Sequence, residues 1–230
     1  MYDRDLCRAY DLGIIGYNKA LKLQEGLVKA RCANEIPDII LFLQHTPVLT
    51  IGASGGEENL VVSKDALVKD GVAIVHTDRG GNITCHEPGQ LVSYPIFDLS
   101  TRSRDIHQYV RNLEEVVIRA LHDYSIIGRR DSRYPGVWVG EEKICALGIR
   151  ITKWVTKHGF ALNVNNELKY FSYIHPCGIS NRGVTSMSRL VGQKLMIEDI
   201  ILCVINHCSK VFNLSIELES PRHLDKYYVN

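Results

Sequence analysis

The 230-residue sequence contains no apolar run that approaches the roughly 20 residues needed to cross a membrane. Its first residues, Met1-Tyr2-Asp3-Arg4-Asp5, lack the basic and then apolar plan of a secretion signal. An excess of one charge is also missing, because 27 basic residues are balanced by 26 acidic ones. A net charge of +1 gives no general attraction to nucleic acid or to an anionic membrane. We therefore expect neither nucleic acid nor a membrane as a partner.

The seven cysteines are odd in number and include no C-x-x-C pair. This pattern argues against a disulfide framework and against a structural zinc knuckle, and it fits a reducing compartment. Cys203 and His207 lie four residues apart on a predicted helix and could share one face. A pair of this kind is more often part of a core or surface than of a metal site. We therefore predict no metal site.

No Pro/Ser-rich stretch or charge run divides the chain, so we expect one domain over residues 1–230. Apolar side chains recur at helical spacing over residues 17–31, 106–124 and 197–212. Strand-like runs occupy residues 39–43, 48–51, 72–75, 91–96 and 160–164. Two further runs, 136–139 and 144–151, flank Gly140-Glu141-Glu142 and predict a hairpin. Helices interspersed with hairpins predict a mixed sheet in an α/β or α+β domain.

The most informative segment is the glycine loop, which we define as residues 79–90. It reads Arg79-Gly80-Gly81-Asn82-Ile83-Thr84-Cys85-His86-Glu87-Pro88-Gly89-Gln90. Glycine has no side chain to block a ligand, and sites are commonly built on loops at strand ends. A plain turn needs only one or two such residues. We therefore interpret the glycine loop as a ligand-binding loop rather than as a simple connection.

Cys177 is the best candidate for a nucleophile. It lies between Pro176 and Gly178, outside any periodic segment, where its thiol would stay uncovered. A thiol of ordinary pKa needs a nearby cation or base to become a thiolate. Lys143, which begins a strand after a tight turn, is one candidate, and His86 and His158 are others. By itself, Lys143 is an ordinary surface lysine, and either histidine could be structural, which is the favoured interpretation for His158.

Five segments together resemble the lipoyl (octanoyl) transferase family, in order, within residues 39–188. They are Arg79 to His86 with Pro88-Gly89-Gln90-Leu91-Val92; Gly136-Val137-Trp138-Val139; Lys143-Ile144-Cys145-Ala146-Leu147-Gly148-Ile149-Arg150; His158-Gly159-Phe160-Ala161-Leu162-Asn163; and Pro176-Cys177-Gly178-Ile179. Each segment alone is a weak signal, whereas five in the family's order and spacing are highly specific. Two positions depart from the family pattern, because Cys85 and Glu87 replace the usual aromatic residue and glycine.

The resemblance implies an α/β fold, a single domain with a mixed β-sheet flanked by helices, like the catalytic domains of biotin and lipoate protein ligases. It implies that Cys177 accepts an octanoyl group from octanoyl-acyl carrier protein as a thioester. A lysine of a lipoyl domain then attacks and forms an amide. Lys143 matches the lysine that lowers the pKa of the family's nucleophile. The residues implied to contact the acyl group are Arg79, Gly80, Gly81, Asn82, Ile83, Thr84, Cys85, His86, Ala146, Leu147, Gly148, Gly159, Phe160 and Ala161.

The implied acceptors are the lipoyl domains of 2-oxoacid dehydrogenases and the glycine-cleavage H protein, in the first step of protein lipoylation. The reaction requires no ATP, metal or other cofactor. The compartment would be the cytoplasm in a bacterium, or the mitochondrial or plastid matrix in a eukaryote. Arg129, Arg130 and Arg133 are a candidate docking patch for acidic carrier proteins.

Three other functions remain open. An ATP-dependent lipoate or biotin protein ligase would share the fold and need no nucleophilic cysteine. A non-catalytic module would bind carrier proteins only. A cysteine hydrolase would use Cys177 with His86 or His158 and release free acid.

Overall fold

A computed structural model describes residues 5–102, 104–175 and 182–228 of the protein. The strands are, in chain order, β1 (Leu6–Ile15), β2 (Asp38–His45), β3 (Val48–Ile51), β4 (Ala73–His76), β5 (Ile83–His86), β6 (Gln90–Ile96), β7 (Arg129–Arg130), β8 (Val137–Val139), β9 (Glu142–Thr152), β10 (Val155–Asn163) and β11 (Ser215–Glu219). The α-helices are α1 (Tyr17–Cys32), α2 (Lys64–Lys69), α3 (Ile106–His122), α4 (Met187–Val191) and α5 (Ile197–Phe212). None of the helices in these ranges is long and apolar enough to cross a membrane.

The strands form two sheets. The large sheet has eight strands in the order β11-β1-β2-β6-β10-β9-β8-β7, and the small sheet has three in the order β4-β3-β5. In the large sheet β1 pairs in parallel with β2 and β11, whereas β2, β6, β10, β9, β8 and β7 pair antiparallel. The predicted mixed sheet flanked by helices is therefore confirmed, and the fold is α/β.

Helices cover both faces of the large sheet. Ile40 and Phe42 of β2 pack with residues of α3 and α5 in one apolar cluster. Ile39 and Leu41, which alternate with them, pack with residues of α1 in a second cluster on the other face. A strand buried on both faces needs apolar side chains at every position, which explains the continuous apolar run in β2.

The predicted long helices and the hairpin are confirmed. The Asp105 carboxylate caps α3 by accepting a hydrogen bond from the Gln108 N–H at 3.0 Å, while the Gln108 side chain turns forward to Asn112. The glycine loop is not wholly a loop, because Ile83–His86 forms β5 and pairs antiparallel with β3. Its two β-branched residues, Ile83 and Thr84, favour an extended backbone.

Candidate active site

A cavity of about 470 Å³ opens between the glycine loop and strands β6, β8, β9 and β10 of the large sheet. The residues that line it include the apolar Val92, Leu147 and Phe160. They also include the polar His86 and Lys143. The volume falls within the range of small-molecule sites, and a largely apolar wall with a few polar groups is typical of them.

The glycine loop lies directly on β9. The Gly80 N–H donates to the Ile149 carbonyl at 2.9 Å. A Cβ added to Gly148 would lie only 2.7 Å from the Gly80 carbonyl oxygen, so this approach requires glycine. On its other side the loop is held by the Ala53 N–H, which donates to the Arg79 carbonyl at 2.9 Å. The cavity wall at this point is thus made of closely packed backbone.

The Arg79 guanidinium braces the glycine loop from within. Arg79 is 7% exposed. Its Nε donates to Thr50 Oγ1 at 3.1 Å, a second nitrogen donates to the Thr50 carbonyl, and a third donates to the Gly80 carbonyl at 3.1 Å. A planar guanidinium with several donors suits this bridging position.

A chain of hydrogen bonds runs from the glycine loop to the strand that carries Lys143. His86 Nδ1 lies 2.8 Å from Gln90 Oε1, and Gln90 Nε2 donates to Asn163 Oδ1 at 2.9 Å. Asn163 Nδ2 donates to the Thr185 carbonyl at 3.0 Å, and the Thr185 N–H donates to the Lys143 carbonyl at 3.1 Å. Buried networks of this kind fix side chains in one arrangement when each member is satisfied.

The histidines at and beneath the cavity are neutral near pH 7. Burial lowers the pKa of His45 and of His158 to about 4, and it lowers the pKa of His86 well below its usual range. His45 Nε2 lies 2.8 Å from the Tyr94 hydroxyl. Neutral His158 donates its Nε2–H to Asp78 at 2.9 Å. The histidines therefore add no positive charge to the cavity wall.

Lys143 is largely buried beside the cavity, with 8% of its surface exposed. Its Nζ lies 4.8 Å from the centroid of the Trp138 ring and donates to the Pro135 carbonyl at 3.4 Å. The backbone around it is paired with residues 183–185, because the Lys143 N–H donates to the Gly183 carbonyl at 3.0 Å. Lys143 is thus anchored next to the point where the described chain resumes after residue 181.

Arg182, the first described residue after that point, is firmly held. Its guanidinium lies 4.9 Å from the Trp138 ring centroid and donates to Asp131 Oδ2 at 2.7 Å. The hydrogen bond from Arg182 lowers the pKa of Asp131 to about 2, so this pair stays charged at neutral pH. On the other side of residues 176–181, the segment that contains Cys177, the His175 N–H donates to the Asn59 carbonyl at 2.9 Å. Both flanks of the segment are therefore anchored.

Most of the residues proposed to contact the acyl group line this cavity. They are Arg79, Gly80, Gly81, Asn82, Ile83, Thr84, His86, Ala146, Leu147, Gly148, Gly159, Phe160 and Ala161. Cys85 does not line it, because its fully buried side chain packs in the apolar cluster of the small sheet with Leu49 and Ile51. His158 and Lys143 do line the cavity. Cys177 lies outside the described residues.

Some cavity residues were not singled out from the sequence. Tyr94 lies two and four positions after Val92 and Gln90 on β6, so strand alternation could have placed all three on one face. Tyr17 and Arg182 also line the cavity. Tyr17 is distant in sequence from the motifs, and only the fold brings it there, whereas Arg182 lies three residues after the last motif.

Solved structures of protein ligases share this architecture. A bi-partite lipoate protein ligase from Thermoplasma acidophilum, described with its E2 lipoyl domain, aligns with a TM-score of 0.77 at 17% identity over 97% of this chain and 90% of its own. Biotin protein ligase from Aquifex aeolicus aligns with a TM-score of 0.51 at 12% identity over 91% of this chain and 70% of its own. The fold is thus that of the lipoate and biotin protein ligase catalytic domains.

Sequence similarity identifies the family to which the chain belongs within this fold. An octanoyltransferase of Caldicellulosiruptor saccharolyticus is 48% identical over 217 residues, which cover 94% of this chain and 92% of the relative. The sequence model of the lipoyl protein ligase A/B catalytic domain matches residues 16–209. The chain belongs to the lipoyl protein ligase A/B catalytic domain family.

Proposed function

We propose that the protein is an acyltransferase that moves an octanoyl group from octanoyl-acyl carrier protein to a lysine of a lipoyl domain, through a thioester on Cys177. The observation that carries this proposal is the cavity itself. Its lining combines apolar side chains with a buried lysine, and residues 183–185, which follow the Cys177 segment in the sequence, pair with the backbone of that lysine.

The other cysteines support Cys177 as the nucleophile. The six within the described ranges are free thiols: Cys7, Cys32, Cys85, Cys145, Cys203 and Cys208. Burial raises the pKa of every one of them. A raised pKa leaves almost no thiolate at neutral pH, and the thiolate is the nucleophile. These six thiols are therefore unsuited to attack a thioester.

Lys143 is assigned to the activation of Cys177. An ammonium group close to a thiol favours its thiolate form. The thiolate attacks the octanoyl carbonyl, and the carrier sulfur leaves as a thiol with a proton from the Lys143 ammonium, which becomes a neutral amine. The lysine amine of the lipoyl domain then attacks the new thioester, Cys177 leaves as thiolate, and the amine's proton passes to Lys143 or to solvent. Covalent catalysis lets the two carrier proteins bind in turn.

The apolar part of the cavity would hold the acyl chain. Burial stabilises a hydrocarbon chain by about 0.8 kcal/mol per methylene, which gives about 5 kcal/mol for octanoyl. The small side chains of Ala146, Gly148, Gly159 and Ala161 leave the space for it. Backbone N–H groups of the glycine loop or beside Cys177 would stabilise the oxyanion. The chemistry requires neither ATP nor a metal.

We further propose that lipoyl domains of 2-oxoacid dehydrogenases and the glycine-cleavage H protein are the acceptors, and that the protein works in a reducing cytoplasm or organelle matrix. The candidate docking residues are partly engaged within the protein. Arg129 bonds to Glu141, and Arg130 bonds to Glu115. Of these three arginines, we propose Arg133, which stacks on Tyr134, as the one that contacts the carrier protein.

The test is intact-mass analysis after mixing with octanoyl-acyl carrier protein. We expect a single octanoyl adduct that is absent in Cys177→Ala and is discharged by apo lipoyl domain. Cys32→Ser, which alters a partly exposed thiol outside the cavity, should keep the adduct. Octanoyl transfer by Cys177→Ser from free octanoate and ATP would instead establish a ligase. Release of free octanoate without an acceptor would establish a hydrolase.

A further inference from the structure

Three side chains of different chemical types converge at the junction of α3 and α5, away from the residues that line the cavity. Asp123 follows the last residue of α3, and Cys203 and His207 lie on α5. One ligand atom from each lies within 4.8 Å of the other two. The Asp123 carboxylate is the centre of the group. Its Oδ2 lies 3.3 Å from Cys203 Sγ and 2.8 Å from His207 Nε2.

The fold creates this arrangement. Residues four apart on a helix share a face, so Cys203 and His207 present their donors side by side. The pair alone carries little information, and the third donor comes from a residue 80 positions before Cys203. Packing of α3 against α5 in the same apolar cluster brings it into place. The sequence spacing therefore could not reveal the complete set.

The donor set discriminates between cations. Thiolate, imidazole and carboxylate are the ligands of Zn²⁺ and related borderline-soft ions, whereas Mg²⁺ and Ca²⁺ prefer oxygen alone. Bonds of about 2.0–2.3 Å in tetrahedral geometry place ligand atoms roughly 3.3–3.7 Å apart. The observed separations need only a small adjustment to meet this requirement. His207 is buried while Asp123 is exposed, so water can supply the fourth ligand.

We propose that Asp123, Cys203 and His207 form a binding site for a zinc-like divalent cation that ties the end of α3 to α5. On binding, the Cys203 thiol proton passes to solvent as the metal–sulfur bond forms, and no electrons are transferred. The imidazole binds through Nε2 and the carboxylate through Oδ2. This site is separate from the proposed acyl transfer, and neither depends on the other.

The test is a titration with Co²⁺ under reducing conditions, in a Cys177→Ala background that removes the proposed nucleophile. One equivalent of Co²⁺ should give a thiolate-to-cobalt charge-transfer band with tetrahedral visible bands, and Zn²⁺ should displace it. Cys203→Ser should abolish the charge-transfer band, and His207→Gln and Asp123→Asn should abolish or greatly weaken it. Zn²⁺, but not Mg²⁺, should raise the melting temperature of the protein in which Asp123, Cys203 and His207 are unaltered.

Two matched controls keep the test specific. Cys32→Ser changes another partly buried thiol, and His107→Gln changes an exposed histidine on α3 itself. Both should keep the full spectrum and the Zn²⁺-dependent stabilisation. A band that survives Cys203→Ser, a band unaffected by His207→Gln, or no thiolate band at millimolar Co²⁺ overturns the proposal. Thermal unfolding without metal verifies that each variant folds. If Cys203→Ser does not fold, the spectrum of His207→Gln alone decides the test.

Discussion

Lys143 offers the most direct test at the scale of a single residue. In Lys143→Met the ammonium is lost but a long side chain still covers Trp138. We expect the rate of octanoyl-adduct formation at neutral pH to fall by about 10²-fold or more, within the usual range for a proton-transfer group. The deficit should shrink as pH approaches about 8.5, where an unassisted thiol ionises. Rapid-quench mass spectrometry across pH measures both effects.

Lys157→Met is the matched control, because this lysine is also partly buried but pairs with Asp78 outside the cavity. It should form the adduct at close to the unaltered rate. A deficit in Lys143→Met that stays constant with pH would mean that the residue has only a structural role.

Glu87 is a second residue with a specific task. Its buried carboxylate accepts hydrogen bonds from the Leu168 N–H at 3.0 Å and from Asn166 Nδ2 at 3.2 Å, and burial raises its pKa. Leu168 has a φ of +65°, a conformation that costs energy for a residue other than glycine. The carboxylate therefore holds a strained turn that leads toward the Cys177 segment.

We expect Glu87→Gly, which restores the residue usual in the family, to lower the free energy of unfolding by about 1–3 kcal/mol, because two buried donors lose their acceptor. Glu87→Gln keeps an acceptor oxygen and should cost less. Urea denaturation measures both. Equal stability of Glu87→Gly and the unaltered protein would show that water replaces the carboxylate without loss.

The residues that line the cavity are predictable where a sequence motif determines the local backbone. They are less predictable where the tertiary fold brings a side chain to the cavity. The glycine loop motif predicts a ligand-binding loop, and the loop does line the cavity. Cys85 is predicted to contact the acyl group, but its side chain does not line the cavity, because Thr84 and His86 face the cavity and the side chain between them points to the opposite face of β5. Recognising β5 as a strand would have predicted this orientation of the Cys85 side chain.

At the scale of elements, the approach of the glycine loop to β9 is the feature most sensitive to substitution. Gly148→Ala places a Cβ 2.7 Å from the Gly80 carbonyl oxygen, so the loop must move away from the strand. We expect a loss of about 1–3 kcal/mol in stability from this overpacking, together with slower adduct formation. Urea denaturation and intact-mass kinetics measure the two effects.

Gly80→Ala provides a graded comparison, because its added Cβ would lie 3.3 Å from the Ile149 carbonyl oxygen. It should show the same effects more weakly. Equal effects of the two substitutions would contradict the proposed contact between loop and strand.

Element prediction succeeded where one face of a segment is buried. α3 and α5 carry apolar residues at helical spacing because each packs one face on the large sheet. β1 and β11 were not predicted. β1 alternates poorly because a bulge between Asp11 and Ile14, with Gly13 at φ +60°, interrupts its pairing. β11 is a mostly exposed edge strand, so burial imposes little pattern on it.

At the scale of the whole molecule, the C-terminal segment closes over the first helix. The 3₁₀ helix Pro221–Tyr227 packs on α1, and Leu224 is buried in the same cluster as Leu23 and Leu27. Gly26 of α1 makes this contact possible, because a Cβ there would lie 1.8 Å from the Tyr227 carbonyl oxygen. The contact between α1 and the 3₁₀ helix thus depends on one glycine in the interior of α1.

Gly26→Ala therefore tests whether the packing of the 3₁₀ helix on α1 contributes to stability. Alanine is the better helix former by about 1 kcal/mol, so helix propensity alone predicts stabilisation. In the full chain we expect the opposite, a loss of about 1–3 kcal/mol, because the 3₁₀ helix must shift or detach. In a chain that ends at Ser220 the obstacle is gone, and the same substitution should raise stability instead. Urea denaturation of the four proteins measures this reversal of sign, and stabilisation by Gly26→Ala in both backgrounds would show that the C-terminal segment does not pack on α1.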